Sequence, residues 1–265
     1  MHREEELSLA ADRANGAGFL QANRRVLGPC TIEEVFPDTA GKGRHISFSF
    51  PSVFSLLPEE ESGVCRALST LLSEESARLV GRTAGARVLL VGLGNPRVTV
   101  DALGPLTADK IRPTATLPPD LCRKVGCSLL SVFCPLVPAL TGIESAALVR
   151  AAAGTFRPDL VLIADAMATR SQARLGCTAE ISDRGIIPGS GVGEGSLRLD
   201  REYLGAPVLS VGFPVVLDAT DLFAGKDGGG VFDYLVPHEG ECACHRLSTI
   251  LARAVENVFG VPSLF

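Results

Sequence analysis

Three short runs of the chain are apolar almost throughout: Val88-Leu89-Leu90-Val91, Leu160-Val161-Leu162-Ile163-Ala164 and Val208-Leu209-Ser210-Val211. Runs of this length, bounded by turn residues, predict strands covered on both faces, as in a parallel sheet. A further strand is expected over 128–136. Residues 45–50 instead alternate polar and apolar, the pattern of a half-buried strand, and Pro51 ends it. Helical periods fill the gaps between strands. Over 59–80, Val64, Leu68, Leu71, Leu72 and Leu79 fall on one stripe, with Gly81 as the stop. Residues 101–111 read as a helix with Thr99 or Asp101 near its start, and 142–153 as a helix ending at Gly154. Residues 247–259 form a closing helix before Gly260 and Pro262. Strands alternating with helices predict an α/β fold: a single domain over 45–265, with a mostly parallel sheet and helices on both faces. Residues 1–44 are polar and weakly patterned, with one short helix expected over 7–14.

Composition adds exclusions. The 265 residues are 46% hydrophobic and 21% charged, enough for a sizeable core. The net charge is −5, and no basic run is longer than Arg24-Arg25. That argues against direct nucleic-acid binding and against a polybasic membrane patch. The longest apolar stretch, 129–140, is broken by Ser131, Pro135 and Pro138, well short of the ~20 residues that span a bilayer. Eight cysteines accompany an acidic start, Met1-His2-Arg3-Glu4-Glu5-Glu6, that has no signal-peptide pattern. Free thiols and a cytoplasmic location are the expectation.

Ligands of parallel sheets gather at the carboxyl ends of strands. Asp165 directly follows one apolar run, and Asp101 lies one loop beyond another. From spacing alone the two read as strand-to-helix caps, as an acid–base pair, or as holders of a divalent metal. Gly92-Leu93-Gly94 opens like a dinucleotide fingerprint, but Arg97 stands where the third glycine belongs, leaving a tight turn. The glycine-rich residues 189–195 could cradle an anion or form a loop beside a cleft, and 225–230 read as a loop. His238, Cys242, Cys244 and His245 make an H-x3-C-x-C-H cluster. It lacks the second half of a structural zinc site and reads as a chance grouping before a helix. There is no G-x-S-x-G elbow for a serine nucleophile.

Several blocks together resemble the germination protease family of endospore-forming bacteria. They are Val91-Gly92-Leu93-Gly94-Asn95 with Val98-Thr99-Val100-Asp101-Ala102-Leu103-Gly104-Pro105, then Leu140-Thr141-Gly142-Ile143-Glu144. Arg157-Pro158-Asp159-Leu160 leads to Ile163-Ala164-Asp165-Ala166-Met167-Ala168-Thr169-Arg170-Ser171. Gly185-Ile186-Ile187-Pro188-Gly189-Ser190-Gly191-Val192-Gly193 and Gly212-Phe213-Pro214-Val215-Val216-Leu217-Asp218-Ala219 complete the set. The blocks keep the family's order over roughly 86–220. Pro96-Arg97 and Val100 depart from its pattern.

The resemblance implies an aspartic-type endopeptidase that degrades small acid-soluble spore proteins during germination. It implies a self-processing zymogen with a propeptide at the start of 1–44, a homo-oligomer (a tetramer in the family), and a place in the forespore or spore core. The family's two aspartates match Asp101 and Asp165, and no cofactor is implied. Asn95, Thr99 and Arg170 are supporting candidates that would orient the carboxylates or stabilise an oxyanion. The G-x-G-N and strand-end Asp pattern also resembles hydrogenase-maturation endopeptidases, which implies a phosphorylase/hydrogenase-maturation-protease type of fold. Two alternatives remain open: a carboxylate–metal endopeptidase of that maturation type, and a catalytically silent spore-associated homologue.

Overall fold

The apolar runs form the middle of one nine-stranded sheet. The computed structural model describes residues 23–35, 43–189, 197–218 and 234–261. Its strands are β1 (Asn23–Leu27), β2 (Cys30–Val35), β3 (His45–Ser49), β4 (Arg87–Gly92), β5 (Leu129–Phe133), β6 (Leu160–Thr169), β7 (Thr178–Ser182), β8 (Val208–Asp218) and β9 (Tyr234–Leu235). The helices are α1 (Pro58–Val80), α2 (Leu103–Asp109), α3 (Pro119–Val125), α4 (Pro138–Thr141), α5 (Ser145–Phe156), α6 (Arg201–Leu204) and α7 (Gly240–Phe259), with 3-10 turns at Thr99–Asp101 and Gln172–Arg174. The strand order is β1-β2-β3-β7-β8-β6-β4-β5, with β9 on β8. Strands β8, β6, β4 and β5 run parallel. The arm from β8 through β7 and β3 to β1 is antiparallel.

Both faces are covered, as expected of α/β architecture. On one face α1 and α7 bury Leu68, Leu71, Leu72, Leu247 and Leu251 with Val88, Leu90, Leu162 and Phe213 of the sheet. On the other, Ala146, Val149 and Ala153 of α5 pack with Leu89, Val91, Val161 and Ile163. Local chemistry sets the limits of α1. Pro58 opens it, Glu59, Glu60 and Glu61 face its positive end, and the Glu60 carboxylate accepts the Leu57 N–H at 2.9 Å. Gly81 closes it in a left-handed conformation, φ 75°. Its one buried hydroxyl without a partner is Ser76 Oγ. Ser76→Ala is therefore expected to hold or raise stability, by up to about 1 kcal/mol, in a thermal-melting comparison.

The structure corrects several expectations. Residues 23–35, inside the weakly patterned segment, form a hairpin that extends the sheet beyond β3. His45 and Ser47, read as the polar side of a half-buried strand, are 5% and 3% exposed, because Glu180 pairs with them across β7. The helix expected over 101–111 splits into a 3-10 turn and α2. Helix α5 runs through Gly154 to Phe156, and α7 begins at Gly240 because Ala243 and Cys244 are already buried. Strand β8 runs past Val211 to Asp218. All eight cysteines are free thiols, five of them buried. Among the described residues no helix is long and apolar enough to cross a membrane. The helix expected over 7–14, the loop at 225–230 and most of the glycine-rich stretch at 189–195 lie outside the described residues.

Candidate active site

Three glycines fold the Asp101 segment onto the end of β4 and the middle of β6. Leu93 N–H donates to the Ala164 carbonyl at 2.9 Å, so the chain leaving β4 stays tied to β6. Gly104, in the first turn of α2, sits against that junction. A Cβ there would meet the Leu93 carbonyl inside contact distance and the Ala164 carbonyl at 2.6 Å. Gly92 faces the Gly104 backbone just as closely. Gly94, at φ 117°, lies on the Asp101 carbonyl, and a Cβ would also stand 2.9 Å from Asp101 Oδ1. Only hydrogen fits at these positions. The glycines of G-L-G-N and of L-G-P thus serve one purpose: backbone meets backbone, and Asp101 is carried to the segment that continues into Asp165.

Asp101 ends the 3-10 turn at Thr99–Asp101. Its Oδ2 accepts the Asn95 N–H at 2.7 Å. Burial pushes its carboxyl above the usual carboxylate range, and the Asn95 N–H works against that shift. Val100 beside it packs near Gly240 at the start of α7. Burial, helped by the Asp101 charge, pushes the Cys244 thiol on α7 up to about 11. That thiol therefore stays protonated at neutral pH.

Asp165 does not sit at a strand end. Strand β6 continues to Thr169, so Asp165 is mid-strand, 9% exposed, on the face shared with Ile163 and Met167. One of its oxygens accepts the Ala166 N–H at 2.9 Å. It pairs across the sheet with Gly212 of β8, which in turn pairs with Glu180 of β7, and Glu180 with Ser47 of β3.

The supporting candidates divide. Asn95 orients Asp101 with its backbone, while its side-chain Oδ1 accepts the Arg97 N–H at 2.9 Å and shapes its own turn. Thr99 opens the Asp101 turn and is exposed. Arg170 lies beyond the end of β6, five residues past Asp165 or about 16 Å of extended strand, and pairs with Asp218 at 3.2 Å. Residue-type reasoning missed the buried cluster around Glu180. This fully buried carboxylate takes His45 Nε2 at 2.9 Å, Ser47 Oγ at 3.2 Å and the Arg174 guanidinium. Burial, with Arg174 and Arg184 nearby, pushes the His45 imidazole down. Among the described residues no three His, Cys, Asp or Glu side chains stand together as a metal site, and the H-x3-C-x-C-H residues do not form one.

The sequence profile of the germination protease family matches residues 39–258, most of the chain and both aspartate blocks. The chain belongs to the germination protease family. Germination proteases named as such include one from Caldanaerobacter subterraneus subsp. tengcongensis, 34% identical over 226 residues, covering 84% of this chain and 67% of that protein. One from Halalkalibacterium halodurans is 33% identical over 204 residues, covering 75% of this chain and 52% of that protein. One from Bacillus thuringiensis subsp. konkukian is 34% identical over 223 residues, covering 81% and 58%. The chain thus spans between 52% and 67% of the length of these germination proteases. A solved NiFe hydrogenase maturation protease from Thermococcus kodakarensis KOD1 aligns with a TM-score of 0.41 at 18% identity, over 71% of this chain and 99% of its own.

Proposed function

We propose that this chain is an aspartic-type endopeptidase that cleaves small acid-soluble spore proteins, with Asp101 and Asp165 as its catalytic pair. The observation that carries the reading is the glycine-packed junction. Gly104, three residues beyond Asp101 in the chain, rests on the Ala164 carbonyl immediately before Asp165. Membership of the germination protease family supports the reaction class. In the proposed reaction a water lies between the two carboxylates. One of them, ionised, takes a proton from the water as it attacks the scissile carbonyl. The other, protonated, donates a hydrogen bond to the carbonyl oxygen. Burial favours the neutral form of Asp101, and the two carboxyls share one proton in the working state. On the same reading the enzyme works as a homo-oligomer in the spore core, and residues at its N-terminus are removed on activation.

The direct test is incubation of a purified small acid-soluble spore protein with the wild-type chain, followed by mass spectrometry of the fragments. Discrete internal cleavages are expected, and an intact substrate after prolonged incubation with N-terminally trimmed enzyme would end the reading. Cleavage is also expected to proceed at the same rate after exhaustive chelation. A rate that falls with chelator and returns with one divalent metal would favour the carboxylate–metal alternative instead.

A further inference from the structure

A lateral row of four residues crosses the sheet beside Asp165: Ser47 on β3, Glu180 on β7, Gly212 on β8 and Asp165 on β6. Lateral neighbours in a sheet point to the same face, so two buried carboxylates share that face at two strand spacings, about 10 Å. Glu180 is fully buried and Asp165 is 9% exposed. Between them stands the one residue of the row with no side chain. Its space is taken by Met167: a Cβ on Gly212 would lie 2.6 Å from Met167 Cγ and collide with its Sδ. Met167 is two residues after Asp165, and the β6–β8 register shifts between Met167 and Ala168. The extra residue at that shift is Val215 of β8, and the Met167 thioether lies across Gly212, two residues before its own lateral neighbour Pro214.

We propose that Met167 is a positioning residue for Asp165: lodged over Gly212, its thioether walls the carboxylate off from the Glu180–Arg174–His45–Ser47 cluster and from water, and so sets the pH at which Asp165 exchanges its proton. This rests on the reading of Asp165 as a working carboxylate, but its central test does not need activity. Charged and titratable groups surround Asp165 on several elements. They are Glu180 on β7, Arg174 in the preceding 3-10 turn, His45 on β3, Asp101 in the 3-10 turn that follows β4 and, farther off at the ends of β6 and β8, the Arg170–Asp218 pair. On the other side of β6, Leu89 and Val91 of β4 and Leu93 just beyond it give this face apolar side chains. An apolar wall between Asp165 and the β7 side keeps the carboxyl poorly hydrated, which favours the protonated form. Glu180 is already neutralised by Arg174, so removing the wall chiefly admits water.

The experiment follows the Asp165 side-chain carboxyl carbon by NMR through a pH titration of the full chain, assigned with Asp165→Asn. Met167→Leu, which refills the space with an apolar side chain, is expected to titrate with the wild type. Met167→Ala is expected to titrate about one pH unit lower. Should Met167→Ala melt too low to titrate, Met167→Gln keeps the length, introduces a hydrated amide, and is expected to move the midpoint the same way. A folded Met167→Ala or Met167→Gln chain that titrates with the wild type would overturn the proposal. The pH profile of spore-protein cleavage is measured in parallel. A shifted NMR midpoint with no cleavage by any variant, the wild type included, would sink the peptidase reading and leave the role of Met167 standing.

Discussion

Asp165→Asn is expected to abolish spore-protein cleavage, with a loss on the order of 10³-fold, while the melting temperature stays within a few degrees of wild type. The asparagine keeps the shape of the side chain and its acceptor for the Ala166 N–H. It removes one of the two carboxyls that the proposed reaction needs to exchange a proton with water. Asp101→Asn is expected to lose a similar factor, since the proposed mechanism needs both carboxylates at once and losses within one catalytic unit do not add. The double variant should therefore be little worse than either single one. A double-variant rate lower than either single rate by a further 10³-fold would mean that the two groups act independently. An Asp165→Asn chain with full activity would remove Asp165 from the chemistry altogether.

Gly104→Ala is expected to have the largest effect on the fold itself. The added methyl meets the Leu93 and Ala164 carbonyls, both on the backbone of the sheet, and neither can rotate away. A destabilisation of about 3 kcal/mol or more is expected, read as a lowered denaturation midpoint. Gly154→Ala is the matched control. Gly154 lies within α5, and a Cβ there meets nothing within 4 Å. Replacing a helical glycine by alanine in open space should raise stability by about 0.5–1 kcal/mol. Two identical substitutions are thus expected to act with opposite signs. Equal effects would mean that the close packing at Gly104 does not carry the junction.

The parallel half of the sheet was legible in the sequence because burial on both faces leaves a simple mark. Val88 to Val91 and Leu160 to Ala164 have no polar residue, and both lie in central strands. The limits of those strands were not legible, because the apolar rule fails where polar side chains are buried with partners. Strand β6 carries Asp165 and Thr169 inward, and both break the apolar run that marks its first half. His45 and Ser47 failed as markers for the same reason: their partner, Glu180, is distant in sequence, and no local pattern reports it. The hairpin of β1 and β2 was hidden by its charges, with Arg25 reaching Glu74 and Glu34 reaching Arg44 in ion pairs that span separate elements. For the candidate site, spacing singled out Asp101 and Asp165 and the resemblance chose a role for them. What neither supplied was the reason for the glycines, which is visible only once Gly92, Gly94 and Gly104 are seen back to back with carbonyls.

The Glu180 cluster also constrains the order in which the chain can be completed. Its hydrogen bond with Ser47 joins residues 133 positions apart, and His45 reaches it over a similar span. At ribosomal rates of ~5–20 residues per second, a newly made β3 waits on the order of 10 s for β7 to emerge. Until then β1, β2 and β3 have no sheet to join, whereas β4 and β5 can pair with each other as soon as both are made. Without β3, Glu180 keeps its ion pair with Arg174 but lacks His45 and Ser47, two of the partners that make so deep a carboxylate tolerable. Docking of the amino-terminal arm is therefore the step that seals the sheet, and a chain that has not taken it carries a half-solvated ion pair two strands away from Asp165.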